Sequence, residues 1–308
     1  MPTDDPSEAT SRFAEKPRYG ASMRSDIEFL GLVEASEPGH YSFEVINRLA
    51  RLDGYLYGGT AIAASMATAE HLTGAQTVWV TTQFVATAPP GSTVEVHAEV
   101  LAAGHRTTQV RVTGTDTAGA TMFASLGTMG TRRDEGLDGV YDTMPEVSAP
   151  EESEPIDDLF HLVAANAGVT DVPQMPRGSG FRSVVETALP AIGGHPDPGP
   201  GRLCAWVRRR DREPLTPAIA AYMADLVPLA VSHAAGVIAI GISLDNSIRV
   251  GTFEPTEWVL LDMRAQMATG GYGHGTVHIW HPNGRLLATA GQTASMTVFD
   301  AADPPWAR

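Results

Sequence analysis

The chain has 308 residues, of which 43% are hydrophobic, and it carries 36 acidic against 21 basic residues for a formal net charge of −15. This length is enough for two ordinary domains or one large one with a real hydrophobic core, and the negative charge argues against nucleic acid and anionic membranes as main partners. Cys204 is the only cysteine, which excludes an intramolecular disulfide and favours the reducing cytoplasm as the location.

Residues 1–35 are predicted to form a mobile, polar N-terminal tail. The opening stretch MPTDDPSEATSRFAEKPRYGAS lacks both the basic start and the apolar run of a signal peptide. The longest apolar segment of the chain, residues 226–242, is interrupted by Pro228, Ser232 and His233, which makes it too short and too polar to span a bilayer. A soluble protein is therefore expected.

An N-terminal repeat is predicted over residues 36–133, with one helix followed by four strands. The helix covers residues 57–72 and opens with the sequence YGG, and a strand near residues 40–46 precedes it. β-Branched residues and a partial alternation of apolar and polar residues predict the strands. They lie near residues 78–85, 93–101, 107–115 and 121–129.

Residues 134–176 are rich in Glu, Asp and Pro and are predicted to form a linker that contains a short helix over residues 156–168. A C-terminal repeat follows over residues 177–300. Its helix begins after Thr216, which suits an N-cap, with Pro217 as the first helical residue. Its strands lie near residues 181–189, 203–209, 238–250, 258–267, 275–280 and 286–298. The pair Asn283-Gly284 predicts a hairpin turn between the last two strands.

The two repeats superpose without a gap at a shift of 165 residues, which pairs Tyr57 with Tyr222. The same shift pairs Pro90 with Pro255, Val94 with Val259, Val112 with Val277, Gly119 with Gly284 and Thr128 with Thr293. Helices, strands and hairpin turns coincide at this one shift. A long helix wrapped by an antiparallel sheet, present twice, predicts an α+β fold of the double-hotdog type, with two tandem hotdog repeats.

Three positions carry an acid, a hydroxyl or an amide in the second repeat where the first repeat has a different kind of side chain, and positions that differ in this way need a reason other than the fold. At the same shift Asp225 pairs with Thr60, Ser243 with Val78 and Gln292 with Gly127. Pro228 disfavours a straight helix and leaves the carbonyl of Ala224 without its usual donor, so a kink is expected to open room beside Asp225. If the three side chains converge, they can hold a water molecule, with the carboxylate as general base and the other two groups fixing the orientation of the water. No metal is needed for this chemistry.

The motifs of the chain resemble those of the acyl-CoA thioesterase II family over most of residues 40–300, apart from the linker. In the N-terminal repeat, YLYGGTAIAASMATAE is similar to the family's FGG helix start, and VWVTTQFVATAPPG to the strand and Pro-Gly turn that follow. In the C-terminal repeat, YMADL is similar to the family's YxSD helix, ISLDNSI to its TIDHS strand, EWVLLD to its EWLLY segment and GRLLATAGQTASM to its GxLVASxxQEG end. Asn246 stands where the family motif has His, and Thr293-Ala294 where it has Glu-Gly.

The resemblance implies hydrolysis of fatty acyl-CoA to free fatty acid and CoA, a role in fatty-acid metabolism, and no cofactor or metal. In the family an Asp, a Thr or Ser and a Gln bind the hydrolytic water, and these carry over onto Asp225, Ser243 and Gln292. Backbone N–H groups near a helix start would stabilise the oxyanion, and the acyl tail would lie in an apolar tunnel between helix and sheet. The candidates for binding the CoA phosphates are Arg132, Arg133, Arg208, Arg209 and Arg210. A homodimer is expected, because hotdog sheets commonly associate.

Two other functions stay open at the level of the sequence. The departures at Asn246 and Thr293-Ala294 favour a non-catalytic double hotdog that binds acyl-CoA or lipid. A hotdog hydratase of enoyl-CoA would need a catalytic His–Asp pair, which the sequence does not convincingly supply.

Overall fold

The computed structural model describes residues 20–133, 135–169, 178–193 and 201–299. Within these residues, thirteen strands form one antiparallel sheet, and the helices pack on it. The strands are β1 (Val33–Glu34), β2 (His40–Glu44), β3 (Gln76–Phe84), β4 (Thr93–Ala103), β5 (Thr107–Asp116), β6 (Thr121–Gly130), β7 (Glu154–Ile156), β8 (Val185–Leu189), β9 (Arg202–Arg209), β10 (Ile238–Val250), β11 (Val259–Thr269), β12 (Tyr272–Trp280) and β13 (Leu286–Phe299). The helices are α1 (Gly20–Leu30), α2 (Gly58–Thr73), α3 (Leu159–Asn166), α4 (Pro217–Met223) and α5 (Val227–Ala235).

The two repeats meet in the middle of the sheet, where β3 and β10 pair antiparallel. The sheet order is β1-β2-β4-β5-β6-β3-β10-β13-β12-β11-β9-β8-β7. The order β2-β4-β5-β6-β3 on one side therefore mirrors the order β9-β11-β12-β13-β10 on the other. The strands predicted after each helix are confirmed, with ends that move by a few residues, and so is the hairpin turn, where Gly284 adopts a φ of 89°.

Helix α2 lies against the inner face of β3–β6 and is buried on nearly every side. Its alanines at positions 61, 63, 64, 67 and 69 are all less than 5% exposed. A helix that is apolar all round belongs in a core, and small side chains let a curved sheet wrap it closely. In the C-terminal repeat, α5 occupies the corresponding place against β10–β13.

The helix of the C-terminal repeat is interrupted between α4 and α5, beside Asp225 and Pro228 where the sequence predicted a kink, so it is not a single continuous helix like α2. Thr216 caps α4 as predicted, accepting the N–H of Ile219 at 3.1 Å. Residues 224–226 are not helical, and α5 begins with Pro228 in its first turn. The N–H groups of a first turn have no acceptor within the helix, so a proline, which lacks the N–H, costs no helical hydrogen bond there. The stretch Pro217–Ala235 is long and apolar enough to cross a membrane, but 67% of its most apolar 18 residues are buried inside the protein.

The predicted mobile tail of residues 1–35 is wrong from residue 20 onward, where α1 and then β1 are formed. Phe29 is only 7% exposed, and its carbonyl accepts a hydrogen bond from Nε of Arg48 at 2.7 Å. The polar composition of the whole segment concealed a short apolar cluster, IEFLGL, that docks on the core. Residues 1–19 lie outside the described residues.

The predicted linker of residues 134–176 is partly folded. β7 pairs with β8 at one edge of the sheet, and the predicted short helix is present as α3, capped by Asp158, which accepts the N–H of Phe160 at 2.9 Å. A three-residue edge strand and a short helix need little apolar sequence of their own, because they pack on the surface of the C-terminal repeat. Residues 170–177 lie outside the described part of the chain.

Cys204 is buried in a small second core on the outer face of the sheet with Trp206 and Trp280. Burial raises the pKa of the thiol to about 12. A thiol with so high a pKa is not a nucleophile at neutral pH, so Cys204 has a packing role.

Candidate active site

The break between α4 and α5 holds the carboxylate of Asp225, which is 5% exposed. Its backbone carbonyl accepts a hydrogen bond from the hydroxyl of Tyr57 at 3.2 Å. Tyr57 and Tyr222, the pair that defined the 165-residue shift, meet edge to face with ring centroids 5.3 Å apart. The broken helix thus turns the carboxylate away from the regular helical surface, at the place where the two repeats touch.

Gln292, on β13, connects the three predicted site residues. It is 1% exposed, and its Nε2 donates both to Oδ1 of Asp225 and to Oγ of Ser243, the latter at 2.7 Å. Its Oε1 accepts the N–H of Val227, the first residue of α5, at 3.2 Å. The acceptors on one side and the N–H donor on the other determine which way the amide points. Asp225, Ser243 and Gln292 are therefore brought together at one point.

A β-bulge in β10 puts Ser243 and Asn246 on the same inner face of the sheet. Residues three apart on a regular strand face opposite sides, but the register with β13 shifts between Ser243 and Asp245. Asn246 consequently lies opposite Gln292, and its Nδ2 donates to Oδ1 of Asp225 at 3.1 Å. Sequence reasoning noted Asn246 only as a departure from the family motif. It missed the contact because strand periodicity without the bulge points Asn246 the other way.

The N-terminal repeat also contributes to the site through the first residues of α2. A Cβ on Gly58 would overlap Oδ2 of Asp225 and lie 3.1 Å from Cζ of Phe84. The backbone N–H of Gly59 donates a hydrogen bond to the carboxylate. Sequence reasoning treated the YGG sequence as a helix start and missed its contact with Asp225, which depends on how the repeats dock.

The pKa of Asp225 is raised from its ordinary value of 3.8 to about 6, because burial removes the carboxylate from water. Hydrogen bonds from Asn246, from the Gly59 backbone and from Gln292 oppose this rise, as does the positive charge of Arg51. Donors favour the charged form of a carboxylate, while desolvation favours the neutral form. With a pKa of about 6 the carboxylate is ionised at neutral pH and is more basic than an ordinary aspartate.

Four of the five arginines predicted to bind CoA phosphates have structural partners. Arg132 donates to the carbonyls of Val250 and Gly251 at 2.6 and 2.8 Å, and so ties the two repeats together. Arg208 donates to Glu186, Arg209 donates to Asp211, and Arg210 lies 3.8 Å from Glu186. Arg133 is exposed. Within the described residues, none of these five donates a hydrogen bond to Asp225, Ser243 or Gln292.

The arrangement can bind and activate a water molecule: a carboxylate with a raised pKa, a hydroxyl and an amide face one point, and a second amide holds the carboxylate. In the described part of the chain, no group of three or more His, Cys, Asp or Glu side chains is placed to hold a metal ion. The chemistry these residues support is general-base attack by water on an electrophilic carbon.

Two family models match the chain, and they follow the division into repeats. The acyl-CoA thioesterase N-terminal domain matches residues 47–130, and the acyl-CoA thioesterase C-terminal domain matches residues 150–296. Among curated proteins, no relative matches the sequence.

Solved structures similar to this chain include a proposed thioesterase from Novosphingobium aromaticivorans, with 31% identity, a TM-score of 0.73, and coverage of 86% of this chain and 98% of that one. A protein of unknown function with a hotdog fold from Alicyclobacillus acidocaldarius has 18% identity and a TM-score of 0.72, covering 90% of this chain and 99% of that one. An acyl-CoA thioesterase II from Mycobacterium marinum has 19% identity and a TM-score of 0.67, covering 89% and 99%.

Proposed function

This chain belongs to the acyl-CoA thioesterase family and is a thioester hydrolase with a hotdog fold, and on that premise we propose that it hydrolyses fatty acyl-CoA with a water molecule held by Asp225, Ser243 and Gln292. The single observation that carries the residue assignment is Gln292, whose amide donates to both other members of the set. The three residues whose acid, hydroxyl or amide is missing at the paired positions of the first repeat thereby converge, although they come from a helix break and two strands.

In the proposed reaction, Asp225 removes a proton from the water as its oxygen attacks the thioester carbonyl. Ser243 and Gln292 orient the water, so the reaction has a low entropic cost. The carbonyl oxygen gains negative charge, which backbone N–H groups at a helix start can stabilise. The C–S bond then breaks, and CoA leaves as a thiolate, a good leaving group that needs no strong acid.

The two departures from the family motif are compatible with catalysis. Asn246 donates to Asp225, so it supports the base although an imidazole is absent. The N–H of Thr293 donates to Asp245 at 2.8 Å, and Ala294 lies opposite Ser243 in the sheet without a polar group to compete for it. Among the described residues, no histidine hydrogen-bonds to Asp225, so the His–Asp pair of a hydratase is not formed there.

We further propose the domain division predicted from the sequence: a hotdog repeat over residues 36–133, a connecting segment over 134–176 and a second hotdog repeat over 177–300. The continuous sheet, with its mirrored strand order, supports two hotdog units joined at β3 and β10. The family model of the C-terminal domain begins at residue 150, so it includes β7 and α3 of the connecting segment together with the second repeat. A homodimer remains our proposal for the assembly, and light scattering of the purified chain would test it.

The direct test of the function is to incubate the purified chain with a series of acyl-CoA thioesters and a dye that traps free thiol. Thiol release well above the buffer rate is expected. Tight binding of acyl-CoA without thiol release would contradict catalysis and favour the non-catalytic alternative.

The pH dependence of hydrolysis is expected to report Asp225. The carboxyl must be ionised to accept a proton, and its pKa is about 6, so kcat/KM is expected to rise with pH through about 6 and to level off above it. Loss of the thioester absorbance measures this rate without a pH-sensitive dye. An acid limb centred near the ordinary aspartate value of 3.8 would contradict the assignment of Asp225 as base.

Replacing Gly58 with alanine is expected to lower kcat by roughly 10- to 100-fold. The new methyl group would overlap Oδ2 of Asp225 and displace the carboxylate from the water. Gly58 has helical geometry that alanine favours, so the melting temperature should fall less than the rate. Gly178→Ala is the matched control, because a Cβ there meets nothing within 4 Å. Equal activity of the two variants would contradict the placement of Gly58 against the base.

A further inference from the structure

Three glycines form a floor beside the proposed water site, on the inner face of the sheet. Gly275 lies opposite Gln292 in the pairing of β12 with β13, and Gly273 lies opposite Ala294, which is itself the partner of Ser243. Gly241 precedes Ser243 on β10 by two residues and therefore shares its face. We call Gly241, Gly273 and Gly275 the glycine floor.

Side chains of α5 rest directly on the backbone of the glycine floor. A Cβ on Gly273 would lie 2.8 Å from Cγ1 of Val231, and one on Gly275 would lie 2.5 Å from the carbonyl oxygen of Arg264 on β11 and 2.9 Å from Cγ1 of Val227. A Cβ on Gly241 would overlap Pro228 and lie 2.9 Å from Sδ of Met296. Real Cβ atoms do not approach other atoms this closely, so only glycine admits the helix here. At these three positions the sheet therefore places no side chains between its backbone and α5.

The first repeat has no such floor. At the 165-residue shift the positions of Gly241, Gly273 and Gly275 are occupied by Gln76, Thr108 and Val110. Thr108 and Val110 are 4% and 2% exposed, so the sheet of this repeat has buried side chains where the second repeat has none. A requirement of the fold alone would appear in both copies. The floor occurs only in the copy that carries Asp225, Ser243 and Gln292.

The floor has a steric consequence for a bound acyl group. Pro228 and Val231 of α5 and Met296 of β13 contact the glycine floor, so they lie in the way of an acyl chain that would run from a carbonyl at Ser243 and Gln292 beneath α5. The ring of Phe84 lies against Gly58 and is partly exposed.

We propose that the enzyme selects short-chain acyl-CoA thioesters, and that Val231 and Met296 set the limit on chain length. This proposal rests on the proposed function, since it concerns the acyl group at the same site. Acyl groups of a few carbons fit between the site and α5, whereas longer chains collide with Val231 and Met296.

The test measures kcat/KM of the full chain with acetyl-, butyryl-, octanoyl- and palmitoyl-CoA. The wild type is expected to prefer acetyl- or butyryl-CoA over octanoyl-CoA by about tenfold or more, since a pocket discriminates roughly 10- to 200-fold per methylene it rejects. Val231→Ala and Met296→Ala each remove part of the barrier, and each is expected to raise the octanoyl-to-butyryl ratio by about tenfold. Met296 is only partly buried, so its variant should fold even if that of Val231 is impaired.

Val110→Ala is the matched control, because it removes the same atoms from the first repeat and should leave the ratio unchanged. A wild-type preference for octanoyl- or palmitoyl-CoA, or an unchanged ratio in both test variants, would overturn the proposal while leaving the hydrolase function standing. If no thioester is hydrolysed, the proposed function fails instead. Calorimetric affinities for the same four thioesters then decide the question of chain length: stronger binding of the short ones supports the limit, and stronger binding of the long ones overturns it.

Discussion

Asp225→Asn is expected to lower kcat by a factor of about 10²–10⁴. Asparagine keeps the size of the side chain and retains one oxygen that can accept the hydrogen bonds from Gln292 and Asn246, so the site should keep its shape. The amide cannot take a proton from water, so only the base is lost. Steady-state hydrolysis of a short and a long acyl-CoA by the purified variant measures the effect.

The same substitution is expected to increase stability near neutral pH. Burial raises the pKa of Asp225 above its unfolded value, so the folded state holds this proton more tightly than the unfolded state. Its contribution to the free energy of unfolding is therefore fully present below the unfolded value of 3.8 and is lost as the pH rises through about 6. The melting temperature of Asp225→Asn minus that of the wild type should thus be larger at neutral pH than in acid.

Asp245→Asn is the matched control for Asp225→Asn. Asp245 lies on β10 near the site and accepts the N–H of Thr293, but it makes no hydrogen bond to Ser243 or Gln292 in the described structure. Its variant should retain most of the activity. Similar decreases in kcat for the two variants would show that the loss of any negative charge near the site impairs the enzyme. That result would contradict the assignment of Asp225 as the general base.

Gln292→Leu is expected to lower kcat by roughly 10²-fold or more and to destabilise the fold by about 1–3 kcal/mol. Leucine has a similar volume but neither donates to Ser243 and Asp225 nor accepts the N–H of Val227. The buried N–H of Val227 is then left without a partner, and loss of the donor to Asp225 raises the pKa of that carboxyl further. The acid limb of the pH profile should consequently move to higher pH, a change that a purely structural role would not produce.

Kinetics across pH and chemical denaturation measure these two effects separately. Gln109→Leu serves as the control, because Gln109 is an exposed glutamine on β5 whose side chain accepts the hydroxyl of Thr128 at 2.8 Å and does not contact the proposed site in the described structure. A Gln292→Leu variant with unchanged kcat and an unmoved acid limb would contradict the assignment of Gln292 to the water site.

Much of the fold could be predicted because its determinants are local. The alternation of apolar and polar residues located β3–β6 and β10–β13, Thr216 and Pro217 marked the start of α4, and Asn283-Gly284 marked a hairpin. The duplication added an internal control, because an acid, a hydroxyl and an amide that the first copy lacks at the paired positions pointed to Asp225, Ser243 and Gln292. Local patterns failed for α1, where a polar composition concealed a small apolar cluster that folds only by docking on a core formed elsewhere.

The sequence by itself determined the repeated architecture and the chemical types of the proposed site, because periodicity, caps and duplication are properties of neighbouring residues. The tertiary structure alone decided how that site is assembled. The break at residues 224–226, the bulge after Ser243 and the docking of Gly58 against Asp225 direct groups from distant segments to one place. The orientation of these side chains depends on how helices and strands pack against each other. The pattern of residue types along the chain does not show which side chains a bulge turns toward the core.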